Sequence, residues 1–467
     1  MFVAKGAYLM FSRKMIIAAG CTGLVFFGGL GLYLYSTEEH SPSRSQSSKK
    51  DSTRALEKSF ITSQTDKVID EPSALFNDPA ISQAWGLKKS DAARAWSVTK
   101  GSRDIVIAVI DTGIDIKHED LAGNLWRNPG ETGKDSMGRD KATNGIDDDG
   151  NGFVDDVYGW NFVSNNPKLD DNHGHGTHIA GIIGAEAGNG KGITGIAPEV
   201  SLMILKYYDP KVPGTDNLKN TVASIRYAVK MGAHIINYSG GGTEFSQEEH
   251  DAIAEAEKKG ILFVAAAGNE RSNSDQYHYY PADYKLSNII SVTAIDPSTQ
   301  VLASSNYGVE TVDIAAPGQN ILSCLPGNSY GYMTGTSQAT AFVTGAAALV
   351  MAHKQSFSAS DVKKYILATG DAQSQLASKT RTSRQLNLYK ALTILDQGVG
   401  ATGVIAVNTA NMKSFSGDPN DKNSRAAEDG VDATAKEMSH FGRSLIDAMG
   451  TKVRPSKLGT KQENEGF

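Results

Sequence analysis

Ile107-Ala108-Val109-Ile110-Asp111-Thr112-Gly113 is the stretch on which the fold turns. From Ile105 to Ile110 the run is unbroken and apolar, the pattern of a strand buried on both faces. It closes on Asp111, and open α/β sheets build their sites beyond the C-terminal ends of their strands. Two later stretches bear on the same chemistry. In His175-Gly176-Thr177-His178-Ile179-Ala180-Gly181, the residues Ile179, Ile182 and Ile183 after the histidine fit the start of a buried helix. In Gly335-Thr336-Ser337-Gln338-Ala339-Thr340, the serine opens a small-residue segment that runs to Met351. That places Ser337 at a helix N-terminus, where unpaired N–H groups polarise their surroundings. A serine hydroxyl is a poor nucleophile at neutral pH and needs a base, a task suited to histidine. The histidine in turn needs a carboxylate to fix its tautomer and stabilise the imidazolium.

These three stretches, in the order aspartate, histidine, serine, resemble the subtilisin-like serine proteases, the subtilases. The resemblance implies Asp111 as orienter, His175 as general base and acid, and Ser337 as nucleophile. A fourth stretch, Ile261 to Asn269, reads as a buried strand ending in Gly-Asn. It resembles the family segment whose asparagine donates to the oxyanion, which implies Asn269 with the backbone N–H of Ser337 as second donor. His234 to Gly242 reads as a strand that runs into glycines. By resemblance, Ser239, Gly240 and Gly241 form one wall for the residue before the scissile bond, and Ala267 and Gly268 the other. An extended substrate would add there as a strand.

The sequence also departs from the family pattern. Gly240 stands where a larger apolar residue is usual, which is expected to open the site; Gln338 and Ala341 replace a usual methionine and proline. His118 and His178 match structural family positions. A zinc reading of His173, His175 and His178 lacks the i, i+4 pairing with an intervening glutamate that zinc helices use.

Between Asp111 and His175 lies an acidic insertion, Asn144 to Asp156. Asp147, Asp149, Asn151, Gly152 and Asp155 follow the phase of an EF-hand calcium loop, with the Phe153 carbonyl at its seventh position. The twelfth position is Tyr158 instead of glutamate, and Asp156 is the substitute considered. The loop is expected to hold a structural calcium ion, against the bland reading of a solvated acidic loop. No catalytic cofactor is expected. A second family calcium site, using Asp120 and a loop near Asn189 to Thr194, is only weakly matched.

The chain has 467 residues and a net charge of −6, without a basic stripe, so nucleic acid is not an expected partner. Met15 to Tyr35 carries no charged side chain over 21 residues, long enough to span a bilayer. Lys5, Arg13 and Lys14 precede it and Glu38 and Glu39 follow, which sets the bulk of the chain outside the cell. A cleaved signal peptide and a lipid anchor at Cys21 are the rivals. Only two cysteines occur, and they are not expected to pair.

The expected organisation is a cytoplasmic N-terminus at 1–14, a signal-anchor at 15–35, a polar linker at 36–74, a peptidase domain at 75–397 and a polar, mostly disordered tail at 398–467. The linker reads as too short and too polar for the folded pro-domain that many subtilases carry. Alternating strand and helix patterns through the middle predict an α/β fold, by resemblance a subtilisin-like three-layer sandwich with a mostly parallel central sheet. The expected function is a membrane-anchored, extracytoplasmic serine endopeptidase acting on proteins or peptides. Two alternatives stand beside it: a non-catalytic peptide-binding scaffold on the same fold, and an esterase or amidase using the same triad.

Overall fold

Strand β1 (Gly101–Asp111) lies inside a nine-stranded sheet, so the apolar run around Ile107 is covered on both faces. The computed structural model describes residues 71, 73 and 75–394. The expected anchor, nearly all of the linker, and the tail lie outside the described residues.

Two short helices, α1 (Trp85–Lys89) and α2 (Ala92–Trp96), lead into β1. They are followed by β2 (Gly159–Asn161), α3 (His175–Gly184), β3 (Glu199–Lys206), α4 (Asn217–Lys230), β4 (Ile235–Tyr238), α5 (Gln247–Lys258) and β5 (Leu262–Ala266). Next come β6 (Ile289–Ile295), β7 (Ile314–Pro317), β8 (Ile321–Leu325), β9 (Ser329–Met333), α6 (Thr336–His353) and α7 (Ala359–Thr369). Last are β10 (Asp371–Ala372), β11 (Arg384–Gln385) and α8 (Leu388–Thr393). The strand order is β10-β11-β7-β6-β5-β4-β1-β3-β2, and every neighbouring pair is parallel except β10 with β11.

Successive side chains of a strand point to opposite faces, and the two cores divide accordingly. Ile107 and Val109 pack with residues of α3, α6, α7 and α8. Ala108 and Ile110 pack instead with Val222 and Ile225 of α4 and Ile253 of α5. The result is the expected three layers. Helix α6 is mostly apolar all round because it is buried on all sides, from Thr336 to Met351. Small residues make this feasible. A Cβ on Gly345 would lie 2.5 Å from Ile196 Cβ.

The hairpin β8–β9 forms a separate two-stranded sheet that the sequence patterns did not announce. It packs on α3, where Ser323 Oγ donates to the His178 carbonyl. Cys324 is buried there as a free thiol, with its pKa pushed up by burial. Among the described residues, no helix is long and apolar enough to cross a membrane.

Candidate active site

Asp111 is the last residue of β1, and Ile110 pairs with Tyr238 of β4. One residue further along each chain, Asp111 and Ser239 therefore emerge side by side. Asp111 is 3% exposed. Its Oδ1 accepts from the Thr112 N–H at 2.8 Å and from His175 Nδ1 at 2.7 Å. His175 begins α3, and α3 can approach the end of β1 only through glycine: a Cβ on Gly176 would lie 2.1 Å from the Gly113 carbonyl oxygen. Since Nδ1 donates to the carboxylate, Nε2 is the nitrogen left to accept a proton. Burial works to lower the His175 pKa. The charge and hydrogen bond of Asp111, helped by Asp171, outweigh it and hold the imidazole above its ordinary 6.5.

Asp171 has a share in the site that the sequence reading missed. Its carboxylate accepts from the N–H groups of His173, Gly174 and Thr177 and from the hydroxyls of Thr112 and Thr177. It thus ties the first turn of α3 to the residue after Asp111. Burial would raise its pKa, but these hydrogen bonds hold it below the ordinary carboxylate value. Buried Lys206, opposite Asp111 on β3, fixes the approach to this segment through the Asp170 carbonyl and Asp209. The signal was the second Asp of Asp170-Asp171, four residues before His175, which by itself reads as a cap or turn residue.

Ser337 lies in the first turn of α6 and is 7% exposed. Its Oγ donates to the Ser239 carbonyl oxygen at 3.2 Å, and Ser239 Oγ donates back to the Ser337 carbonyl at 3.4 Å. Its neighbour across the sheet is thus the residue that emerges beside Asp111. Among the described residues, no hydrogen bond joins Ser337 Oγ to His175; such contacts commonly tighten only with substrate bound. Asn269 is fixed by Thr336, whose N–H and Oγ1 both donate to Asn269 Oδ1, at 3.0 and 3.2 Å. With its oxygen so engaged, the amide turns Nδ2 the other way.

The two expected walls leave adjacent strands, β4 and β5. Ser239 and Gly240 are half-buried and Gly241 is exposed, while Ala267 and Gly268 are buried. Gly240 does not open the site as expected. A Cβ on it would lie 2.5 Å from the Tyr207 hydroxyl and 2.9 Å from the Tyr238 hydroxyl. Two tyrosines occupy the space a larger side chain would take. Gln338 and Ala341 are buried in α6 without breaking it.

The His173 ring lies edge-on to His175, 6.1 Å between centroids, whereas His178 and His118 are turned away. His178 is buried, with Nε2 against the Ile321 and Gly331 carbonyls, and burial with neighbouring His175 pushes its pKa down to about 4. His118 packs edge-on against Tyr330, with Nε2 against the Ser329 carbonyl. The one metal-competent group among the described residues contains no histidine.

That group lies at the acidic insertion. Carboxylate oxygens of Glu131, Asp147 and Asp149 all fall within 4.8 Å of one another. Glu131, which precedes the loop, was not anticipated. It is fully buried; one oxygen accepts from the Asp148 N–H, and Oε2 has no partner. Burial and the charges of Asp156, Asp148 and Asp149 push its carboxyl up to about 7. A buried, orphaned carboxylate oxygen beside two further carboxylates fits a hard divalent cation. The other expected ligands are placed differently. Asp156 is turned inward to Asn128, Asn151 and Tyr227. Asp155 accepts from the Gly145 N–H. Asn151 donates to Asp149 and Asp156. The Phe153 ring packs on Trp160, Phe162 and Tyr227, which leaves the expected role of its carbonyl untouched. At the second suggested site, Asp120 accepts from Asn189 Nδ2, the Ile193 N–H and the Tyr330 hydroxyl.

A parallel sheet whose strand ends carry a carboxylate–imidazole pair beside a helix-borne serine has the arrangement of a serine hydrolase. The model of the Subtilase family matches residues 102–418, and the chain belongs to that family. It is 35% identical to thermitase of Thermoactinomyces vulgaris, over 68% of this chain and 98% of the relative. It is 36% identical to the thermophilic serine proteinase of Bacillus sp. (strain AK1), over 64% of each chain. Identity to subtilisin-like protease 2 of Plasmodium falciparum is 33% over 69% of this chain, which spans only 22% of that longer relative.

Proposed function

We propose that this chain hydrolyses peptide bonds as a serine endopeptidase through an acyl-enzyme. The observation that carries the reading is the 2.7 Å His175–Asp111 bond at the strand end next to Ser239, on which Ser337 rests. In the reaction, Ser337 Oγ turns its proton from the Ser239 carbonyl to His175 Nε2 and attacks the scissile carbonyl. Asp111 holds the imidazolium that forms. Asn269 Nδ2 and the Ser337 N–H receive the oxyanion. His175 then protonates the leaving amine, and water repeats the sequence to free the acid. The test is labelling of the full chain by a fluorophosphonate. Wild type should label, and Ser337→Ala and His175→Ala should not. A folded wild type that stays unlabelled sinks the reading, and faster turnover of simple esters than of any peptide favours the esterase alternative.

The same proposal includes a structural calcium ion held by Glu131, Asp147 and Asp149, supported by the orphaned Glu131 oxygen. Bound there, the ion neutralises a cluster that otherwise repels itself; it takes no part in the chemistry. We also infer a membrane anchor at Met15–Tyr35 with the peptidase outside, supported by the uncharged run and the basic residues before it. Release of the full chain from membranes by alkaline carbonate would overturn the anchor.

A further inference from the structure

We propose that Tyr279 closes the slot for the side chain on the carbonyl side of the cleaved bond, and so confines cleavage to bonds that follow glycine, alanine or serine. This rests on the reading of Ser337 as nucleophile. A reacting carbonyl carbon must come within about 3 Å of Ser337 Oγ, its oxygen toward Asn269. The side chain next to that carbonyl then enters the gap between the chain leaving β4 at Gly240-Gly241 and the chain leaving β5 at Gly268.

Tyr279 bridges that gap. A Cβ on Gly241 would lie 2.5 Å from Tyr279 Cε1 and 2.9 Å from its Cζ, and a Cβ on Gly268 would lie 2.9 Å from its Cγ. One ring therefore abuts both walls, its two ends on opposite sides. The ring is not on a loose segment. Tyr280 exchanges backbone hydrogen bonds with Gly242 at 2.7 and 2.8 Å, and the Tyr279 N–H donates to Asp283 Oδ2 at 2.8 Å. Glu270 crowds the same wall: its Oε2 lies 2.3 Å from where a Gly268 Cβ would be, and Asn306 Nδ2 holds it at 2.7 Å. Burial and the Glu270 charge both push the Tyr279 phenol up, in keeping with their sharing one side of the slot. The Tyr207 and Tyr238 hydroxyls fill the space beside Gly240, on the same wall.

The experiment is kcat/KM of the full chain on peptide anilides that differ only in the residue before the anilide: glycine, alanine, serine, leucine, phenylalanine and lysine. Active protein is counted by fluorophosphonate labelling. Wild type should prefer the first three. Tyr279→Gly should gain roughly 10- to 100-fold on leucine and phenylalanine relative to alanine, the scale at which a pocket discriminates by size. Tyr279→Phe, which keeps the ring, should keep the wild-type order even if the glycine variant fails to fold. A labelled wild type that cleaves after leucine, phenylalanine or lysine as well as after alanine overturns the Tyr279 proposal alone. So does a labelled, folded Tyr279→Gly with an unchanged profile. No labelling and no hydrolysis of any anilide overturns the nucleophile reading and this one with it.

Discussion

Asp111 and Glu131 are both buried carboxylates, 3% and 0% exposed, and they are completed in opposite ways. Asp111 finds its partners within the protein: the next residue's N–H and an imidazole carried in by α3. Glu131 finds one N–H, three like charges nearby and nothing for its second oxygen. Burying a carboxylate is costly unless something compensates it. At the strand end the compensation is a histidine, which the chemistry then uses. At the insertion no side chain supplies it, which is what the proposed cation would do. The two regions should therefore fail differently when disturbed.

The largest effect is expected at Asp111. Asp111→Asn should lower kcat by about 10⁴-fold, the loss typical of removing this carboxylate. It should also move the acid limb of the pH profile. The base must be neutral to take the serine proton, and Asp111 holds the His175 pKa above its ordinary value, so the wild-type limb should be displaced upward. Without the charge, burial dominates and the limb should fall to lower pH. A pH–rate profile of the variant that keeps the wild-type limb would break the comparison at its stronger end.

Asn269→Ala should cost about 100- to 1000-fold in kcat with little change in KM, because its donor is needed only once the oxyanion forms. That range comes from a member of this family and is applied to Asn269 here. A loss confined to KM would make Asn269 a ground-state contact. In either outcome the His175 limb should stay where it is, which separates this variant from Asp111→Asn.

Glu131→Gln should weaken calcium by at least about tenfold, as loss of one anionic ligand or a close supporter typically does, with kcat of the loaded enzyme unchanged. Titration calorimetry with calcium, followed by thermal unfolding with and without the ion, reads it. Equal affinity in variant and wild type would remove Glu131 from the site and return the loop to its own side chains.

Why the strand-end site was legible and the proposed cation site only half so follows from where each partner sits in the chain. Asp111, His175, Asn269 and Ser337 each stand at the end or start of an apolar element, so pattern and position agree over a few residues. The sheet then does the assembling. In the acidic insertion the EF-hand phase was visible, but a loop segment can turn a side chain either way. Asp156 went inward to Tyr227, and Glu131 arrived from outside the loop. Tyr279 and the hydroxyls beside Gly240 were hidden for the same reason: a glycine in sequence says that space is needed, not what fills it. The short β8–β9 hairpin gave too little alternation to stand out.

Asp171 sharpens the comparison, because it belongs to the strand-end region but behaves as scaffold. Asp171→Asn exchanges an all-acceptor group for one with an NH₂ that must face N–H and hydroxyl donors. Leaving such donors unpaired costs about 1–3 kcal/mol, so the midpoint of thermal unfolding should fall by several degrees. Because the folded pKa is depressed below the ordinary 3.8, the carboxylate's contribution is present above that value and is lost as pH falls through the lower folded one. The asparagine variant should therefore lose part of the acid sensitivity of unfolding. Asp171 also helps hold the His175 pKa up, so the activity limb should move slightly to lower pH, in the same direction as for Asp111→Asn. The kcat loss should nevertheless be small beside the Asp111 loss, since the His175 Nδ1 bond remains. A kcat loss equal to that of Asp111→Asn, in protein of unchanged melting temperature, would mean that Asp171 acts on the reaction itself and not by holding α3 in place.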